Sequence, residues 1–176
     1  MKALAILLLV SIFFSSCFQR NRYGVDTSAY AYVPQYASPA ELHSISIQAA
    51  KATQHAGKIY AFGNYLFQND LLQGFHIIDN TDRKHPSKLA FLKVPYSTEI
   101  AIKGNFLYTN NYNDLVVIDL SNLQSPRLVK RVEKVFPAVD QKFPPVTGVL
   151  FECPDPSKGI VIQWDWKESK SASCRR

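Results

Sequence analysis

The sequence predicts an all-β protein: two four-stranded antiparallel units of propeller-blade type, a C-terminal β-hairpin, and a signal segment with a tether in front. Three observations predict it. A stretch of about forty residues occurs twice, and turn residues divide each copy into four short apolar runs. The composition is that of β-sheet, with nine Tyr and eleven Phe against two Trp and one Met, alongside abundant Val, Ile and Leu.

The repeat is visible residue by residue. Gly63-Asn64-Tyr65-Leu66-Phe67 returns as Gly104-Asn105-Phe106-Leu107-Tyr108, and Gly74-Phe75-His76-Ile77-Ile78-Asp79 returns as Asp114-Leu115-Val116-Val117-Ile118-Asp119. The glycines are 41 apart and the aspartates 40, so one residue is lost between them. In the first copy the apolar runs are 59–62, 65–68, 75–78 and 89–94; in the second they are 100–102, 106–109, 115–120 and 128–132. Four short runs in order make one meander, the unit of a blade. The runs 75–78 and 115–118 are apolar on both faces, as in a strand buried between sheets.

The N-terminus reads as an export signal, residues 1–16. Lys2 is followed by an apolar run from Ala3 to Phe14, broken only by Ser11 and too short to span a bilayer. Ser15 and Ser16 then precede Cys17, the arrangement of a bacterial lipobox, with Phe14 where Leu is usual. Cys17 is therefore expected to carry lipid, and several acyl chains together anchor stably. Phe18 rather than Asp after the lipidated Cys points to the periplasmic face of the outer membrane in familiar Gram-negative sorting. Residues 17–42 are expected to be a flexible linker, rich in Tyr, Ala, Ser and Pro without a sustained period. Residues 43–48 alternate as a strand does; residues 49–55 read equally as a helical turn or a loop. The remaining divisions are 43–98 for the first repeat, 99–137 for the second, and 138–176 for a C-terminal hairpin and tail.

Removing Lys2 with the signal lowers the formal charge from +6 to +5. No basic helix or basic-aromatic nucleic-acid motif accompanies it. The charge suits proximity to anionic lipid or acidic polysaccharide. With Cys17 lipidated, Cys153 and Cys174 remain, an even pair in an oxidising compartment and hence expected to form a disulfide. The competing role, Cys153 as a nucleophile, has no neighbouring His or motif to support it.

Asp79 and Asp119 each end a strand, with Pro86 and Pro126 seven residues later. Asp there caps the backbone N–H two residues on, an Asx-turn; Pro restricts its predecessor and launches the next extended run. The alternative for Asp79-Asn80-Thr81-Asp82, a Ca²⁺ loop, fails on its partner Asp119-Leu120-Ser121-Asn122, which has lost most ligands. No metal or cofactor is expected. The runs 146–152 and 159–166, joined by Pro154-Asp155-Pro156-Ser157-Lys158, are expected to pair as a closing hairpin. Trp164 and Trp166, two apart on a strand, share a face and either cover the hairpin's core side or present a stacking surface to a ligand.

Leu115-Val116-Val117-Ile118-Asp119 nearly reproduces the run that names the LVIVD-repeat lipoproteins of Gram-negative bacteria, which the chain resembles. Gly57-Lys58-Ile59-Tyr60, Gly74 through Asn80, Arg131 through Pro137, and Phe151 through Gly159 with the later Cys174 look typical of that family. The resemblance implies propeller-like repeats in an exported lipoprotein and carries no reaction or ligand with it. A closed propeller takes about four or more blades. Two repeats leave either an open stack of small sheets or a ring completed by further copies, so a homo-oligomer is one expected partner and an envelope protein or glycan another.

No Ser-His-Asp elbow, P-loop, dinucleotide glycine pattern or zinc spacing is present. His43, His55, His76 and His85 are scattered, and His76 aligns with Val116, a packing position. The sequence thus points to a non-enzymatic, membrane-anchored protein for binding or assembly at the cell envelope. The alternative is a carbohydrate-binding accessory lipoprotein, and after it a hydrolase on a propeller scaffold, since fold does not fix function.

Overall fold

The computed structural model describes residues 29–176; the signal segment and Cys17 lie outside them. Among the described residues thirteen strands build three sheets, none closed. The first repeat contains β3 (Ala56–Phe62), β4 (Tyr65–Asp70), β5 (Gly74–Asp79) and β6 (Ser87–Lys93), with β2 (Ser46–Ala49) added outside β6. The second contains β7 (Ala101–Lys103), β8 (Phe106–Asn111), β9 (Asp114–Asp119) and β10 (Arg127–Val132). All eight repeat strands fall where the apolar runs place them, each antiparallel to the next within its own repeat. Residues 50–55 contain no helix. A four-residue helix α1 (Pro39–Leu42) precedes β2 instead, with Ser38 and Glu41 forming a reciprocal capping box.

Turn chemistry explains why the copies fold alike. Gly63 and Gly104 both take φ +57° at the first position of a two-residue hairpin, which a type II′ turn reserves for glycine. The two sheets then stack. Phe67, Phe75, Ile77, Leu92 and Val94 of the first meet Leu107, Val116, Ile118 and Leu120 of the second in one buried cluster.

Residues 95–98 join the repeats, and asparagines hold them. Asn69 Nδ2 donates to Gly74 O at 3.0 Å and Ser97 O at 3.5 Å, Asn111 Nδ2 to Pro95 O at 2.6 Å, and Asn110 Nδ2 to Tyr96 O at 2.9 Å. Asn110 Oδ1 also accepts from Thr98 N and Glu99 N. In the first repeat Asp70 does the matching work, accepting from Gln54 N at 3.0 Å and His55 N at 2.7 Å.

The third sheet corrects two expectations. Part of the supposed linker is a strand, β1 (Ala29–Ala37), which pairs antiparallel along β12 (Ile160–Ser169) from Ala29↔Ser169 to Ala37↔Ile160. Tyr30, Tyr32 and Tyr36 do carry the pattern of a strand, but small Ala31 and Ala37 share its buried positions with Val33, and Pro34 interrupts it. Pro34 is tolerated because β11 (Leu150–Phe151) pairs with β1 only at Tyr32, so farther along one side of β1 has no partner strand. The expected closing hairpin does not form. The sheet order is β12-β1-β11-β13, with β1 inserted between the two supposed hairpin arms and β13 (Cys174–Arg175) outside. The turn residues between the arms instead form a short 3₁₀ segment, Pro156–Lys158, capped by Asp155.

Cys153 and Cys174 are joined by a disulfide across a sequence separation of 21. In the chain-entropy account a loop of that length contributes roughly 3 kcal/mol. Urea unfolding with and without dithiothreitol measures this; an unchanged midpoint after verified reduction would show that the bond carries no stability.

Candidate functional site

The repeated aspartates are turn-forming groups. Asp79 Oδ1 accepts from Thr81 N and Asp119 Oδ1 from Ser121 N, both at 2.8 Å. A second turn of the same kind follows in each copy, Asp82 Oδ1 with Lys84 N at 2.9 Å and Asn122 Oδ1 with Gln124 N at 3.0 Å. Hydrogen bonds from Thr81 hold the Asp79 carboxyl below the usual carboxylate range, and those from Ser121 do so for Asp119, helped by Arg127. Pro86 and Pro126 each lie directly before the strand that returns to pair with the aspartate, as Asp79↔Ser87 and Asp119↔Arg127. Among the described residues no group of three or more His, Cys, Asp or Glu could hold a metal ion.

Trp164 and Trp166 lie on one sheet face, opposite Pro34 and Tyr32, but differ in surroundings. Trp164 is 9% exposed, meets Phe151 edge-on at 5.7 Å, and donates Nε1–H to Asp140 O at 3.0 Å. It belongs to the small core of the third sheet with Phe151 and Val161. Trp166 is 52% exposed, with Tyr32 at 5.0 Å and the exposed Tyr30 at 6.1 Å between ring centres. The aromatic surface is therefore Tyr30 with Trp166, and Trp164 supports the sheet from inside.

A polar cluster that motif searching misses lies where the β4–β5 and β8–β9 turns approach the connector. Asn69, Asp70, His76, Ser97, Asn111 and Asp114 are all buried there. His76 Nε2 is 3.2 Å from Asp70 Oδ2. Burial pushes the His76 imidazole below its ordinary value against the pull of Asp70. Burial also raises the Asp70 carboxyl, but hydrogen bonds from His55, Gln54 and His76 outweigh it and leave it below the usual range. Asp114 accepts from Arg131 Nη1 at 2.7 Å and Lys134 N at 3.0 Å. A cleft of about 400 Å³ opens beside it, lined by Asn111, Tyr112, Asp114, Glu133, Gln141 and His43 among others. The available signal was the strand-ending pair Asn69-Asp70, repeated as Asn110-Asn111. His85 is exposed and bonds Asp82 across a turn at 2.9 Å.

The two ends of the repeat stack are unlike. The outer face of the first repeat, which carries Gln68, His76 and Phe91 in register, is covered by the segment before β3. Lys51 Nζ sits 3.8 Å above the Phe91 ring and donates to Gln73 Oε1, Thr53 Oγ1 donates to Gln68 Oε1, and Lys88 Nζ donates to Thr53 Oγ1. Among the described residues nothing covers the outer face of the second repeat in this way. Phe106, Tyr108, Leu115, Val117, Val129 and Val132 line a shallow apolar groove of about 680 Å³ there. Phe106 is 40% and Val129 48% exposed. By repeat alignment Tyr108, Leu115 and Val117 correspond to Phe67, Phe75 and Ile77, the residues with which the first repeat packs on the second.

Two predictions follow from these placements. Trp164→Ala should cost about 3–5 kcal/mol in urea unfolding, whereas Trp166→Ala should cost under about 1.5 kcal/mol; equal losses would contradict the division of the pair. For His76, the unfolded imidazole gains a proton below about pH 6.5 that the buried one refuses, so stability falls as pH drops through that value. The depressed Asp70 adds a further loss below the ordinary carboxylate range. His76→Val, which installs the residue type of the second repeat, should flatten the change in urea midpoint between pH 7 and pH 5; an unaltered pH slope would remove His76 from this role.

Neither the curated proteins nor the solved structures compared with the chain gave a match. Residues 96–134, which contain all four strands of the second repeat, match the family model described as LVIVD repeat, so this part of the chain is similar to that β-repeat family.

Proposed function

We propose that this protein is a lipid-anchored component of the bacterial cell envelope that works by binding and assembly, without catalysing a reaction, from the periplasmic face of the outer membrane. The observation that carries the binding role is the open apolar face of the second repeat, whose counterpart in the first repeat is fully packed. Exposed patches of this kind mark interaction surfaces on soluble domains. The anchor rests on the apolar run ending at Ser15-Ser16-Cys17.

A second reading has its own observation. Tyr30 and Trp166 present two exposed rings 6.1 Å apart, a surface on which a sugar ring can stack. A glycan array supports it through a glycan bound by the native protein and lost in Trp166→Ala; an array without binding removes it.

Cys17→Ser should abolish incorporation of labelled fatty acid and shift the chain out of the membrane fraction; an unlabelled native protein would overturn the anchor. The binding role is tested separately in cells, with a photoreactive amino acid at position 129 of the open face and, as control, at exposed position 89 on β6 of the first repeat. Macromolecular adducts should form from 129 and not from 89, and an absence of adducts from 129 would overturn that role.

A further inference from the structure

We infer that the occupant of the open face is a second copy of this chain, the two second repeats meeting sheet to sheet about a two-fold axis. The inference rests on the binding role proposed above and gives its partner an identity. The structure shows what covers this kind of face: on the first repeat, Phe67, Phe75 and Ile77 are closed off by the aliphatic face of another repeat, Leu107, Val116, Ile118 and Leu120. The natural occupant of the equivalent face on the second repeat is therefore another aliphatic β-sheet.

The choice of a two-fold pairing follows from what each copy has left to offer. Continuing the stack head to tail requires the next copy to present the outer face of its first repeat. That face is already taken by Lys51, Thr53 and Lys88. A repeat stack needs a polar cap at each end to stay soluble, and the described residues supply one cap. Two copies joined through their uncapped ends have a cap at both ends of a four-sheet stack and leave no apolar face over. A two-fold contact also sets the same patch against itself, and this patch holds both signs of charge at its margin, Lys130 and Asp119. Opposite charges on a self-paired surface favour register and orientation.

The test uses the full chain expressed in its host in two differently tagged forms, with the photoreactive amino acid at position 129. The expected result is an adduct of twice the chain mass that contains both tags. Phe106→Asp should reduce it at least tenfold while the thermal midpoint of the purified protein stays put; Leu89→Asp should not reduce it. If Phe106→Asp lowers the midpoint, Val132→Lys at the groove edge replaces it. Adducts from 129 that contain only a different protein would overturn self-pairing and leave the binding role standing. An absence of adducts from 129 would overturn both.

Discussion

The fold depends on one constraint: a four-stranded meander has two faces, and neither can be buried from within. A sheet this small is stable only when another element covers it. Here the inner faces cover each other, and two of the three largest fully buried side chains, Phe67 and Phe75, stand at that contact. The outer faces then need separate solutions. The first repeat folds back the segment before β3 as a cover, Lys51 over the Phe91 ring and Thr53 tied to Lys88 of β6. The second repeat has no following segment in that position, because residues 138–176 leave to build the third sheet.

Stacking alone leaves the angle and stagger between sheets free to slide, since aliphatic contact has no direction. The asparagines supply direction. Asn69, Asn110 and Asn111 lie at strand ends, and each donates to a connector carbonyl, so Pro95, Tyr96 and Ser97 each have a fixed side-chain partner. Buried polar groups specify a unique arrangement when satisfied and are costly when left alone. Asn69 Oδ1, Asn111 Oδ1 and His76 Nδ1 have no partner among the described residues, so the specificity of this corner is obtained against a desolvation cost.

How much the sequence discloses follows from which interactions are local. The eight repeat strands and the Asx-turns were legible because each is set by residues a few positions apart and stated twice. The residues that stack the repeats were visible as apolar runs, but which outer face would be covered was not. That depends on Lys51 folding over Phe91, forty positions away, and on Thr53 bonding Gln68. The misreadings share this cause. β1 lies more than a hundred residues from β12, and its small and Pro residues hide a strand that long-range pairing stabilises. The two arms read as a hairpin carry a sound turn signal, yet β1 outcompetes each arm for the other. The Trp pair was rightly placed on one face, but the edge of a core cuts between the two rings. The polar cluster had a repeated Asn-Asp and Asn-Asn signature that propensity rules assign to turns, where it also belongs.

The added strand changes what an anchor at Cys17 would do. With residues 17–42 as linker, the folded body could drift far from the bilayer. With β1 starting at Ala29, only eleven residues, 18–28, separate Cys17 from the sheet. Fully extended at roughly 3.3–3.6 Å per residue, they reach no more than about 40 Å. A body on so short a leash would explore a thin layer beside the membrane, where its effective concentration toward neighbouring copies would greatly exceed its value in bulk. A modest apolar face such as that of Phe106, Tyr108 and Val129 would then suffice for pairing that is weak in free solution. In the proposed arrangement anchor and open face would act together: the first would confine the chains to a layer, and the second would give them a surface through which to meet.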